Sequence, residues 1–210
     1  MNSIVENIDC MEGMKRYPDK YFELAIVDPP YGIGNWVQTG GNIRGEAVTW
    51  NDNTPVKEYF IELERVSKEQ IIWGANYYNC FNGNGGAIIW DKQNPNPNFS
   101  ACEIASYSRL KRVAYFRYAW GGVNDGIVGR VRKEKAIHPC EKPIALYKWL
   151  LYNYATPGDK ILDTHLGSGS SRIAAHDMGF DFTGFELDRD YYLAQEKRFK
   201  EQTMQLKLIA

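Results

Sequence analysis

Asp28-Pro29-Pro30-Tyr31 is the tetrapeptide of this chain whose residue types point to a specific chemistry. It follows the apolar run Glu23–Val27, which has the profile of a buried parallel strand, and two successive prolines forbid any continuation of the ladder. The prolines stiffen the loop, so the Asp28 carboxylate and the Pro29 carbonyl can address one point while Tyr31 offers a flat face. Two acceptors converging on one point suit an –NH2 group, and an adjacent aromatic suits a base that carries it. The exocyclic amine of a nucleobase is a poor nucleophile because its lone pair is delocalised into the ring. Accepting both of its hydrogens drives the nitrogen toward tetrahedral geometry and localises that lone pair for attack on a methyl sulfonium. Such chemistry needs neither a metal nor a strong general base. The same four residues also fit a proline-rich turn with a surface tyrosine, and it is their place after a buried strand that favours the chemistry.

A second segment, Asp163-Thr164-His165-Leu166-Gly167-Ser168-Gly169-Ser170, follows a strand and opens a helix. Glycines there let the backbone turn tightly and approach a ligand, and the helix N-terminus offers free N–H groups. No Gly-Lys-Ser/Thr follows, so this is not a phosphate-cradling P-loop. The next strand, Phe182–Glu186, puts Glu186 roughly 20 residues beyond, where α/β nucleoside-binding folds carry a ribose-binding carboxylate. Capping of the following helix is the alternative role for Glu186 and Asp188.

These loops need a scaffold, and its elements are legible. Pro55–Lys68 reads as a helix with Thr54 as N-cap and Tyr59, Phe60, Leu63 and Val66 at helical spacing, followed by a short strand at Gln70–Trp73. Asn82–Gly86 is a turn cluster before a strand at Ala87–Asp91, and Lys92–Asn98 is loop. Glu103–Arg109 and Arg112–Tyr118 alternate as strands do, whereas Gly121–Ala136 lacks apolar periodicity and reads as a mobile loop. Glu141–Ala155 is helical, Lys160–Asp163 a strand, Ser170–Met178 a helix that holds His176 as a structural residue, and Asp190–Gln202 an amphipathic helix. Alternating strands and helices predict a doubly wound α/β sheet.

A chain of 210 residues suits a single domain. No apolar stretch is long enough to span a bilayer and the first residues lack signal-peptide character, so a cytoplasmic location without membrane contact is expected. The scattered Cys10, Cys80, Cys102 and Cys140 show neither metal-site nor redox spacing and are read as reduced thiols. The net charge is −1, but it is polarised. Arg109, Lys111, Arg112, Arg117, Arg130, Arg132, Lys133 and Lys135 lie close together with only Asp125 and Glu134 among them. Such a segment fits either a track for a phosphate backbone or a solvated face.

Together, Asp28–Tyr31 and Asp163–Ser170 resemble the DNA amino-methyltransferases that make N6-methyladenine or N4-methylcytosine. Asn7–Cys10 is similar to the segment before that family's catalytic strand. His138-Pro139-Cys140-Glu141-Lys142-Pro143 and Pro157–Asp159 are similar to the stretch before its cofactor loop, so the resemblance covers most of the chain. His165 and Cys140 stand where the family usually has Phe and Thr.

The order of the two loops is that of the permuted β group. The resemblance implies a Rossmann-like S-adenosylmethionine-dependent methyltransferase fold, α/β with a mostly parallel doubly wound sheet and circularly permuted motifs. One domain would span residues 1–210, with a short DNA-recognition insertion around 92–137 that includes Arg130, Arg132, Lys133 and Lys135. Asp28, Pro29, Pro30 and Tyr31 would hold a flipped base. Asp163, Gly167, Ser168 and Gly169 would bind the cofactor with His165 as a wall, Glu186 would take its ribose, and Lys142 and Pro143 would border the pocket.

N6 of adenine is the implied target, because the first loop residue is more often Ser in the cytosine enzymes; N4 of cytosine is the alternative within the same chemistry. Double-stranded DNA is the implied substrate, with a homodimer and a cognate restriction nuclease as candidate partners. An inactive nucleic-acid-binding module of the same fold is a reading from another class, and the intact loops argue against it. A nucleotide-binding oxidoreductase is disfavoured because nothing in the glycine loop is tailored to a pyrophosphate.

Overall fold

The computed structural model describes residues 1–34, 51–81, 85–94, 100–121, 124–131 and 136–206. In chain order the elements are β1 (Ser3–Glu6), α1 (Cys10–Met14), β2 (Phe22–Val27), α2 (Lys57–Val66), β3 (Ser67–Trp73), α3 (Ala75–Tyr78), β4 (Ala87–Asp91), β5 (Cys102–Tyr107), β6 (Val113–Arg117), β7 (Ala119–Gly121), β8 (Asn124–Val131), α4 (Ile144–Tyr154), β9 (Lys160–Asp163), α5 (Ser170–Met178), β10 (Asp181–Phe185) and α6 (Arg189–Leu206). The strands form an eight-stranded sheet of order β1-β10-β9-β2-β3-β5-β4-β6, with β7 and β8 paired separately. Among the described residues of that sheet, only β5 runs antiparallel to its neighbours.

Apolar runs such as Phe22–Val27 form strands because both faces of the sheet are covered. Leu24, Ile26, Ile71, Trp73 and Ile161 pack with Leu146 and Leu150 of α4 and Ala174 and Ala175 of α5. Their neighbours Ala25, Val27, Ile72 and Leu162 face the other way, against Met14 of α1 and Tyr59, Leu63 and Val66 of α2. The pleat therefore builds two cores from one sequence run.

From β9 the chain winds one way through α5 to β10, and from β2 it winds the other way through α2 to β3. The switch point lies between β9 and β2, which pair at Leu24↔Ile161 and Ala25↔Leu162. Both predicted loops leave the carboxyl ends of these two strands. β5 runs backwards beside β3, with Trp73 opposite Ala105, so its N-terminus reaches the same end of the sheet.

Several elements differ from the sequence reading. α2 starts at Lys57 from an extended Val56 with no side-chain cap, and the Thr54 methyl instead faces the backbone of Gly32. β3 takes up Ser67 and Lys68, because Phe22 pairs with Ser67 while the Ser67 hydroxyl closes on the Leu63 carbonyl at 2.5 Å. Glu141, Lys142 and Pro143 precede α4 instead of joining it, since proline restrains the residue before it to extended backbone. The expected mobile loop at 121–136 contains β8, which pairs with β7 in the register Ala119↔Gly126 and Trp120↔Asp125. Ladder hydrogen bonds satisfied that backbone without an apolar stripe, and apolar periodicity is blind to them. Within 92–137, β5 and β6 belong to the main sheet. Among the described residues, no helix is long and apolar enough to cross a membrane.

Candidate active site

The loop after β2 is held from several sides. Asn51 Oδ1 accepts the Tyr31 N–H at 2.7 Å, and the Tyr78 hydroxyl donates to the carbonyls of Pro29 and Pro30 at 2.5 and 2.9 Å. The Tyr31 hydroxyl donates to Asp28 Oδ1 at 2.6 Å, and its ring stacks on Tyr77 with centroids 4.9 Å apart. Gly74, with φ +76°, lets the tyrosine in: a Cβ there would lie 2.3 Å from Tyr31 Cε1. Asp28 and the Pro29 carbonyl, the two acceptors expected from the sequence, each accept a tyrosine hydroxyl in this structure.

Asp28 also ends a chain of alternating charges. Lys142 Nζ contacts Asp28 Oδ2, Glu103 Oε2 at 3.0 Å and the Tyr31 hydroxyl at 3.2 Å, and Lys92 pairs with Glu103 Oε1. Burial raises the Asp28 pKa, Lys142 pulls it down, and Glu103 adds to the rise. Burial would likewise lift Glu103, but Lys142 and Lys92 bring it down to about 2. Burial pushes the Lys142 pKa down, but the carboxylates of Asp28 and Glu103 outweigh it and raise it above the ordinary lysine value. Lys142, expected at the border of the cofactor pocket, places its ammonium on Asp28 and Tyr31 of the proline loop.

The loop after β9 is built by local geometry. Gly167 and Gly169 take φ +51° and +73°, a region that favours glycine, and Gly169 leads into α5. Ser168 is buried, with its hydroxyl 3.1 Å from Ser170 Oγ and its carbonyl accepting from Arg198 at 2.9 Å. Asp163 is 1% exposed, accepting from the Ser171 hydroxyl at 2.5 Å and the His165 N–H at 3.0 Å. Burial outweighs these bonds and pushes its carboxyl up to about 7. Glu186 Oε2 accepts from Gly167 N at 2.7 Å and Oε1 from Asp188 N at 2.9 Å. Asp188 in turn receives the N–H groups of Asp190 and Tyr191, so it is Asp188 that starts α6. Pro143 precedes α4 in extended backbone.

A cavity touches both loops, lined by Pro30 of one and His165 of the other, with Cys10, Met11, Asn53, Thr54 and Tyr59 around it. Burial lowers the His165 imidazole to about 4, so it is a neutral wall. Residues 74–197 match the N6/N4 methyltransferase family, described as DNA methylase. The chain belongs to the DNA methylase family.

Across 95% of its length the chain is 26% identical to the type II methyltransferase M2.MboI of Moraxella bovis, covering 88% of that relative. The fold is that of the solved M1.HpyAVI–SAM complex, with a TM-score of 0.60, 19% identity and coverage of 93% of this chain and 98% of that one. It also matches the PvuII DNA methyltransferase (cytosine-N4-specific), with a TM-score of 0.65, 13% identity and coverage of 95% and 86%.

In this DNA methylase the structure adds residues that motif reading missed. Glu103 and Lys92 complete the charged chain, Tyr77, Tyr78, Asn51 and Gly74 shape the proline loop, and the Tyr59 hydroxyl ties α2 to Thr164 at 2.7 Å. Only the Tyr77-Tyr78 pair beside Gly74 carried a visible signal, as aromatics next to a glycine after a strand. His138, which heads the segment that resembles the stretch before the cofactor loop, sets its ring 4.5 Å from Tyr191 and 3.6 Å from where a Gly167 Cβ would sit. His176 packs edge-on against Phe199. Arg132, Lys133 and Lys135 lie outside the described residues, and Arg130 lies on β8 with its side chain outside the described ones.

Proposed function

We propose that this chain transfers a methyl group from S-adenosylmethionine to N6 of adenine in double-stranded DNA. The observation that carries the reading is the placement of the proline loop and the glycine loop on adjacent strands at the switch point, with Pro30 of one and His165 of the other lining a shared cavity. S-adenosylmethionine supplies the methyl group on a sulfonium. The residues present suit it. The Glu186 carboxylate accepts backbone N–H groups on both oxygens and has further acceptor capacity for a ribose hydroxyl, and buried Asp163 offers a carboxylate to the ammonium of the methionine end. Gly167, Ser168, Gly169 and Pro143 shape the loop around it, with His165 as wall.

Asp28 and the Pro29 carbonyl accept the hydrogens of the target amine, in exchange for the tyrosine hydroxyls that hold those acceptors otherwise. The negative charge on Asp28 stabilises the cationic nitrogen that develops during transfer. Tyr31 and Tyr77 form an aromatic stack against which a flipped base can rest. Arg130, Arg132, Lys133 and Lys135 follow the phosphate backbone in this reading.

Single-turnover transfer of a labelled methyl group to adenine-containing and cytosine-containing duplexes tests it. Asp28→Asn keeps size and one acceptor but loses the charge, so at least about a hundred-fold loss of rate is expected. A folded Asp28→Asn enzyme working at the parental rate would sink the mechanism, and label in cytosine would correct the base.

A further inference from the structure

We propose that Glu103 is a positioning residue for methyl transfer, taking the Lys142 ammonium away from Asp28 when the target amine docks. The inference rests on the reading of Asp28 as the amine's acceptor. Asp28 is occupied before substrate arrives, with Oδ1 receiving the Tyr31 hydroxyl and Oδ2 contacting Lys142. An amine meeting this carboxylate competes with a full positive charge, which is the stronger partner.

The lysine side chain is only 3% exposed, so it cannot be released to water, and a buried unpaired ammonium is strongly disfavoured. It therefore needs a second anion within reach, and Glu103 Oε2 is already 3.0 Å away. Lys92 holds the other oxygen of Glu103, which fixes the carboxylate in place. Lys142 can thus pass from a shared position to Glu103 alone by a small rotation about its own stem. The arrangement follows from topology: antiparallel β5 delivers its N-terminal Glu103 to the carboxyl end of the parallel strands.

Replacing the Glu103 charge leaves Lys142 undivided on Asp28. Glu103→Gln is then expected to lower the single-turnover rate by about tenfold or more while cofactor affinity, read by calorimetry, stays within a few-fold. The pH profile supplies a readout that a structural role would not move. Glu103 raises the Asp28 pKa and Lys142 lowers it, so the acid limb of kcat/KM should shift to lower pH. The groups facing Asp28 are Lys142 and Tyr31 in contact and Glu103 beyond them, with Tyr59, Tyr78, Cys140, Tyr147 and Asp163 in its field. Those five are common to parent and variant, so the difference reports Glu103.

If Glu103→Gln fails to fold, the charge-balanced pair Lys92→Met with Glu103→Gln decides, since it leaves Asp28 and Lys142 matched; the same loss and shift are expected. A folded variant with parental rate and an unmoved acid limb overturns the proposal. So does a parallel loss of rate, cofactor affinity and melting temperature with that limb unmoved. Asp28→Asn at the parental rate would instead mark failure of the underlying reading.

Discussion

Gly74 lies so close to Tyr31 that a Cβ built on it would sit 2.3 Å from Cε1 and 2.6 Å from Cδ1 of the ring. The glycine also holds φ +76°, where a side chain costs about 1–3 kcal/mol. Gly74→Ala should therefore displace Tyr31, with loss of the hydroxyl's bond to Asp28 and of the stack on Tyr77. Single-turnover transfer is expected to fall by at least about tenfold while calorimetric cofactor affinity stays within a few-fold. Tyr31→Ala should cost about 1–3 kcal/mol of base capture, most of it restored by Tyr31→Phe.

Glu186→Ala removes the proposed ribose acceptor and also the partner of Gly167 N and Asp188 N. Hydrogen bonds to a charged group contribute about 1.5–3 kcal/mol, so S-adenosylmethionine should bind ten- to hundred-fold more weakly. Because the same oxygens brace the glycine loop, the melting temperature of the ligand-free variant should fall as well. Parental affinity in a folded variant would move the ribose site elsewhere.

Asp163 makes stability depend on pH in an unusual direction. Its folded pKa of about 7 lies above the ordinary carboxylate value, so the folded state binds the proton more tightly than the unfolded chain. The contribution is fully present below about pH 4 and is lost as pH rises to about 7, up to roughly 4 kcal/mol in all. Ligand-free Asp163→Asn should lack this decline, which melting curves between those limits would show. Binding of the cationic methionine end should favour ionised Asp163 and release a proton near pH 6. Calorimetry in buffers of different ionisation enthalpy would detect it, and buffer-independent heats would contradict it.

Changing Arg130, Arg132, Lys133 and Lys135 together to Ala should weaken DNA binding and leave cofactor affinity unchanged. Every cation removed from a phosphate should reduce the salt slope of log K by about 0.9. Fluorescence anisotropy across a salt series would measure it. An unchanged affinity and slope would make the segment a solvated face.

The proline and glycine loops were readable from the amino-acid sequence because local rules decide them. Two prolines end a strand wherever they occur, and Gly167 and Gly169 take left-handed backbone that other residues avoid. Strand runs such as Phe22–Val27 were legible because burial on both faces leaves an unbroken apolar string. Periodicity failed at β8, whose ladder with β7 leaves no mark in apolar spacing, and at Lys142, whose proline neighbour excludes it from the helix that its surroundings suggest. The charged chain around Asp28 belongs to the tertiary structure. Glu103 reaches Tyr31 across 72 positions and Lys142 reaches Asp28 across 114, through the direction of β5 and the switch between β9 and β2. An isolated Glu or Lys in a sequence reads as a solvated surface residue. What turned these into a mutually charged pair, Lys142 buried and Glu103 part-buried, is the low-dielectric end of the sheet, where neither ion is stable without the other.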